Sequence, residues 1–256
     1  MAIFWKTAIF GATLIASFAT TVTLSAEEMK CSSPPAEPLI QLLSPPPCDS
    51  CAQTKLELEE LQTLQRNRTD AQAQHALADY QISVARIIEG AGIKFDAAAL
   101  AKCQPIFDRV SARTKSAAVN TKDVYCRTRP YNLPDNGLKP LESGKYSPSY
   151  PSGHTTYGTA ISAVLAHMVP EKRAEFLARA ADYGHSRMIA GVHYRSDVDA
   201  GKLLGMAVAE EEFSEDMQFR AMLPEATRCV RGALGLASEA PLLTAPAAAE
   251  TPSAKP

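Results

Sequence analysis

The run from Thr155 to Val169 is apolar on nearly every face that a helix would present, with Ile161, Val164, Leu165 and Met168 spread around it. A helix apolar all round is a buried helix, so the rest of the chain has to wrap around this one. Ser149-Tyr150-Pro151-Ser152-Gly153-His154-Thr155-Thr156 leads into it. Pro151 and Gly153 set a turn, and Ser152 is placed to cap the helix with its side-chain oxygen. Gly153 holds the helix end open. Such an end offers free N–H groups and the positive end of the helix dipole, which together suit an anion. His154 stands where it can hand a proton to whatever the anion carries. Taken alone, the stretch also fits an ordinary Pro-Gly turn before a core helix.

Two further clusters decide between these readings. Upstream lies Lys122, followed after six residues by Arg129-Pro130. Downstream lies Ser186-Arg187, then His193 after five residues and Asp197 after three more. Three cations, two histidines and a carboxylate are the side chains that phosphate chemistry on histidine needs. The whole pattern, Lys-x6-Arg-Pro, Pro-Ser-Gly-His, Ser-Arg-x5-His-x3-Asp, places eleven identities in order between Lys122 and Asp197. It resembles the signature of the type 2 phosphatidic acid phosphatase superfamily, which includes bacterial class A nonspecific acid phosphatases and vanadium haloperoxidases. The text around Ser149–Thr156 and from Ser186 to 199 looks most like the soluble class A acid phosphatases.

The residues carry a mechanism with them. A phosphomonoester bears up to two negative charges, which Lys122, Arg129 and Arg187 together match. Arginine forks across two phosphate oxygens, while lysine acts as a point charge. Ser152 and the Gly153 backbone N–H add donors. The resemblance implies that His193 is the nucleophile and forms a phosphohistidine later hydrolysed by water. If a helix has begun by His193, the four-residue spacing puts Asp197 near its ring. The carboxylate then takes the other ring N–H and fixes the tautomer. His154 protonates the leaving alcohol and afterwards serves as base for water. The cationic side chains supply the positive charge, so no metal and no cofactor is expected. Phosphate and vanadate are expected to inhibit, and the pH optimum is expected on the acid side. Of the other histidines, His75 and His167 read as surface or packing residues, while His185 adjoins Ser186-Arg187. Ser186 reads as orienting a neighbour.

The remaining chain is read as one all-α domain with tails: a helical bundle around the buried central helix. Met1–Ala26 has the layout of a secretory signal, with Lys6 before an apolar core and Ser25-Ala26 at the cleavage site. The apolar run is shorter than the roughly 20 residues of a spanning helix, so cleavage, a periplasmic location and no lasting membrane insertion are expected. Residues 27–48 form a Pro-rich arm read as extended, 49–235 the helical domain, and 236–256 an Ala/Pro-rich disordered tail. Six cysteines (Cys31, Cys48, Cys51, Cys103, Cys126, Cys229) follow the signal. In an exported chain they suggest structural disulfides whose pairing the sequence leaves open.

Asp49 or Ser50 is expected to cap a first helix through Leu64. Thr69-Asp70 opens a second helix reaching Gly90, and Asp96 a third through Val110. Asp123–Cys126 reads as a short helical piece. Residues 131–150 are a loop. Further helices are expected at Glu171–Tyr183, from between His193 and Asp197 through Val208, and near Glu215–Leu223.

A net charge of −2 gives no footprint for nucleic acid. Small phosphomonoesters are the expected partners, with phosphoryl transfer to alcohols as a side activity. The resemblance is also compatible with a homo-oligomer. A lipid phosphatase of the same superfamily would need several spanning helices, and a vanadate-dependent haloperoxidase is generally much longer. A phosphate-binding module with a dead site would not be expected to retain every motif residue.

Overall fold

The computed structural model describes residues 38–143 and 147–239. The signal segment, the arm up to residue 37 and the tail from 240 lie outside them. Every regular element among the described residues is helical. The chain enters through a 3-10 turn, Pro38–Leu42, which buries Ile40. This part of the arm is therefore turned, not extended, because the island Leu39–Leu43 packs against the core.

α1 (Ala52–Asn67) starts at Cys51 with no side-chain cap. Neither Asp49 nor Ser50 caps it. A turn closed by Cys51 N–H on Cys48 O, with a Cys48–Cys51 disulfide, holds the entrance instead. Thr69 caps α2 (Asp70–Ala78) through a reciprocal box with Gln72. The expected single helix to Gly90 is broken: Ser83 caps a separate α3 (Val84–Gly90) by accepting from Arg86 N–H. The expected third helix is broken as well, into α4 (Ala97–Lys102), capped by Asp96, and α5 (Gln104–Tyr125). The break falls at Cys103, which is bonded to Cys229, and Pro105 opens α5. α5 absorbs residues 123–125 and stops at Cys126, whose φ of 46° is left-handed. Cys126 is itself disulfide-bonded.

α6 (Gly153–Met168) is the central helix, and α5, α7 (Arg173–Ile189) and α8 (Arg195–Ser214) pack around it. Ile161, Val164 and Leu165 are fully buried, each contributing about 1.5–3 kcal/mol of transfer free energy. α7 runs six residues past the expected Tyr183 and so carries Ser186 and Arg187 on its last turns. α9 (Met217–Ala233) is longer than expected, because Pro224 lies inside it without ending it.

Glycine lets α6 and α8 touch. A Cβ on Gly201 would lie 2.7 Å from Ser152 O, and one on Gly205 2.5 Å from Thr156 O. The two helices therefore approach backbone to side, with their N-termini together. Ser152 N–H donates to Asp197 O at 2.9 Å across the gap.

Candidate active site

The N-termini of α6 and α8 and the last turns of α5 and α7 carry most of the motif residues. Ser152 is the N-cap of α6, fully buried, its Oγ accepting from Thr155 N–H and from Thr155 Oγ1 at 2.8 Å. Gly153 does not need special backbone freedom. Its φ is not left-handed, and an added Cβ would meet only Ala118 Cβ at 3.9 Å. His154, on the first turn, places Nε2 3.0 Å from the Tyr80 carbonyl and stacks on the Tyr80 ring at 5.9 Å. A carbonyl only accepts, so Nε2 carries the proton.

His193 lies just before α8, which begins at Arg195. The expected condition, a helix already begun at His193, is not met, yet the contact exists. Nδ1 faces Asp197 Oδ2 at 3.2 Å, because Asp197 folds back at the helix start to accept from Tyr194 N–H at 2.9 Å. On its other side, His193 Nε2 lies 2.9 Å from Arg129 Nη1. A carboxylate requires a donor and a guanidinium requires an acceptor, so the ring is neutral, with the proton on Nδ1 and the lone pair on Nε2. Burial, together with Arg129, Lys122 and Arg187, holds His193 well below the usual histidine range. Burial also lowers His154, as do Arg129 and Lys122, while the Tyr80 carbonyl acts in the opposite sense.

Arg129, Arg187, His154 and His193 line one cavity of about 70 Å³, with Tyr80, Tyr131, Glu142 and Val192. That volume holds several water-sized groups. Arg129 is fixed by donating from Nε to Ser147 O at 2.9 Å and from Nη1 to Val192 O at 2.8 Å. Arg187 donates from Nη2 to Glu142, and its Nε and Nη1 are buried with no hydrogen-bond partner among the described residues. Burial, then the neighbouring Arg129, pulls its pKa down to about 10.

Lys122, Ser152, Gly153 and Asp197 do not line this cavity. Lys122 sits behind it on the last turn of α5, donating to the Pro148 and Ser149 carbonyls. Burial and then Arg129 push its pKa well below the lysine range. His185 is exposed, and Ser186 Oγ donates to Asp79 at 2.7 Å. His167 packs beside Phe213.

Several site residues escaped the sequence reading. Arg127 is 3% exposed and donates to Asp197 Oδ1 at 2.7 Å, to Ser196 Oγ at 2.6 Å and to Glu57 Oε2 at 2.9 Å. Its guanidinium also lies over the Tyr194 ring at 3.9 Å. A buried chain Glu57–Arg127–Asp197–His193 results. Arg127 falls inside the Lys-x6-Arg spacing, which was its one available signal. Glu57 and Glu142 had none.

His75, Asp79 and Asp182 are the one group of metal-ligand type among the described residues. Arg86 and Arg179 already pair with Asp79, and Arg179 with Asp182, so cations occupy the place of an ion. A larger groove of about 460 Å³ between α6, α7 and α8 is mostly apolar, with His167, Arg173 and Glu210 among its lining, and holds none of the motif residues.

The model of the PAP2 superfamily matches residues 110–212, the stretch that contains every motif residue. That stretch, less than half of the chain, is similar to the superfamily. The chain is similar to the non-specific acid phosphatase of Salmonella typhimurium, 41% identical over 92 residues, covering 35% of this chain and 37% of that protein. An acid phosphatase of Zymomonas mobilis is 28% identical over 198 residues, 72% of this chain and 74% of that one. The lipid A 1-phosphatase of Rhizobium johnstonii is 38% identical over 82 residues, 31% and 34% of the two chains. A solved structure of a transmembrane PAP2 type phosphatidylglycerolphosphate phosphatase from Bacillus subtilis aligns at a TM-score of 0.49 and 17% identity, over 70% of this chain and 92% of that one. Among the described residues no helix is long and apolar enough to cross a membrane.

Proposed function

We propose that this chain is an acid phosphatase that hydrolyses small phosphomonoesters with broad specificity, through a phosphohistidine on His193 and without a metal. The observation that carries the reading is the orientation of His193. Asp197 accepts a hydrogen bond from its Nδ1–H, and the Nε2 lone pair is turned toward Arg129 in a cavity that Arg187 and His154 also line.

In this reading the phosphoryl oxygens take over the donors of Arg129 and Arg187, freeing Nε2. Nε2 attacks phosphorus as the ester P–O bond breaks, and His154 gives its proton to the leaving oxygen. Positive charge appears on the imidazole, where Asp197 stabilises it. Charge spreads over the equatorial oxygens, where the arginines act most strongly. Water then attacks phosphorus, its proton passes to His154 and the P–N bond breaks, releasing phosphate. An alcohol in place of water gives phosphoryl transfer. Lys122 acts through its charge from behind the cavity, and Ser152 and Gly153 through the helix end. The likeness to acid phosphatases supports the reaction class.

Phosphate, as product, and vanadate, as a mimic of the transferring phosphoryl, are the inhibitors this mechanism implies. We also assign residues 1–26 to an export signal and the enzyme to the periplasm, with 49–235 as the catalytic domain.

The test is turnover of p-nitrophenyl phosphate by the mature chain in EDTA at mildly acid pH, beside His193→Ala. Turnover that persists in EDTA and disappears in the variant is expected. Activity abolished by EDTA and restored by magnesium would refute the metal-free mechanism, and activity retained in His193→Ala would refute the nucleophile.

A further inference from the structure

Glu142 has the wrong charge for the cavity it lines. Arg129, Arg187, His154 and His193 are the groups an anion would meet, yet a carboxylate stands among them. Glu142 accepts from Arg187 Nη2, and the two side chains are only 15% and 3% exposed. The backbone keeps it there. Leu141 N–H donates to Ala190 O at 2.9 Å, tying the neighbouring residue to the end of α7.

This contact divides the Arg187 guanidinium. Bidentate capture of a phosphate uses two parallel N–H groups. The side-on fork pairs Nε with Nη2, and the end-on fork pairs Nη1 with Nη2. Glu142 sits on Nη2, the nitrogen that gives one N–H to each fork, and takes up one of its two hydrogens. Nε and Nη1, the two that remain, are buried with no hydrogen-bond partner among the described residues.

We propose that Glu142 is a specificity-determining residue of this site, whose carboxylate competes with phosphoryl oxygens for Arg187 and so limits how tightly phosphate is held. The proposal rests on the phosphatase reading above. A phosphoryl group entering the cavity either displaces Glu142 from Nη2 or binds Arg187 through the N–H groups Glu142 leaves, with the carboxylate beside it. Both routes weaken binding of a doubly charged phosphate, because like charges brought together in a poorly solvated site are costly. The consequence is a site that releases inorganic phosphate readily after each turnover.

The experiment titrates inorganic phosphate into the full, oxidised chain by calorimetry in EDTA at mildly acid pH. Wild type is compared with Glu142→Gln, Glu142→Ala and Arg187→Ala, and with the combination of Glu142→Gln and Arg187→Ala. Both Glu142 variants are expected to bind phosphate about tenfold more tightly, a difference of roughly 1.4 kcal/mol. The inhibition constant for phosphate and the KM for p-nitrophenyl phosphate should fall with it. The gain should vanish when Arg187 is also removed. Phosphate bound equally or more weakly by both Glu142 variants than by wild type overturns the proposal and makes Glu142 a support for Arg187. Phosphate bound by neither wild type nor the Glu142 variants overturns the phosphatase reading, and this proposal with it.

Discussion

Arg127→Ala is the most severe single change that the buried chain behind His193 predicts. Arg127 is held by two carboxylates, Glu57 at 2.9 Å and Asp197 at 2.7 Å, whose side chains are 3% and 0% exposed. Removing the guanidinium leaves both acids buried with no countercharge. Asp197 retains bonds from Ser149, Tyr194 and His193, while Glu57 retains those from Ser196. Breaking a buried pair from one side costs about 3–5 kcal/mol, because the remaining charge is stranded. Two stranded carboxylates put this variant at the upper end. The loss of the Tyr194 stacking adds to it. For a domain of this size, each kcal/mol lowers Tm by about 2–4 °C, so a fall of roughly 10–20 °C is expected. The assay is thermal unfolding with the disulfides intact, in a cycle with Glu57→Gln. Glu57→Gln removes one stranded charge, so the double variant should recover at least about 1 kcal/mol relative to the sum of the single losses. A loss under about 1 kcal/mol, or strict additivity in the cycle, would show that water screens these groups and that no buried chain supports His193.

Activity should be confined to acid pH. His154 must be protonated to donate, and burial with Arg129 and Lys122 lowers it from histidine's usual ~6.5, so kcat/KM should fall as pH rises through a value below that; a plateau into alkaline pH would contradict the role. His193, held lower still, stays neutral to more acid pH and sets the other limb. The same shift acts on stability. The folded state resists protonating His193 while the unfolded chain accepts a proton near ~6.5, so stability should decline as pH falls below that, as read by urea unfolding at a series of pH values. Asp197→Asn should cut kcat by roughly 10³-fold or more, by analogy with the orienting aspartate of a catalytic triad, with a much smaller change in KM by steady-state kinetics. Gly205→Ala should cost about 1–3 kcal/mol in a denaturant titration, since its Cβ would lie 2.5 Å from Thr156 O on α6.

The parts of the site legible in the sequence are those whose signals are local. Ser152 before the apolar run announced a capped, buried helix, and the short spacings within Ser186–Asp197 singled out Arg187, His193 and Asp197 as one group, although the helix that carries Arg187 was expected to end at Tyr183. The helix ends were less legible, because tertiary contacts set them. The segment from Asp79 to Ser83 looked continuous with α2, yet Asp79 is drawn into the interior by Arg86 and Arg179, and the chain turns there. Cys103 interrupts what would be one helix because it meets Cys229, a partner 126 residues away that no local pattern names. Glu57, Tyr80 and Glu142 reach the site from an early helix, an interhelical turn and a loop. Each is an ordinary exposed-type residue in its own sequence neighbourhood, and only the fold gives it a role.

The His193–Asp197 contact shows how spacing can be informative for the wrong reason. Four residues apart suggests neighbours on one helix face, but His193 precedes α8 altogether. What brings the two together is the start of the helix. The backbone N–H of Tyr194 needs an acceptor, and Asp197, one turn in, supplies Oδ2 to it. That oxygen also meets His193 Nδ1 and takes the Ser149 hydroxyl, while Oδ1 is fixed by Arg127. The carboxylate thus has no free rotation left. The capping of α8 and the orientation of the His193 ring depend on one oxygen atom, so a change that frays the first turn of α8 must also release the histidine. Gly201 belongs to the same argument, because its lack of a side chain lets α8 approach Ser152 closely enough for the Asp197 carbonyl to receive the Ser152 amide. The N-termini of α6 and α8 therefore form one structural unit, with His154 on one and His193 at the edge of the other.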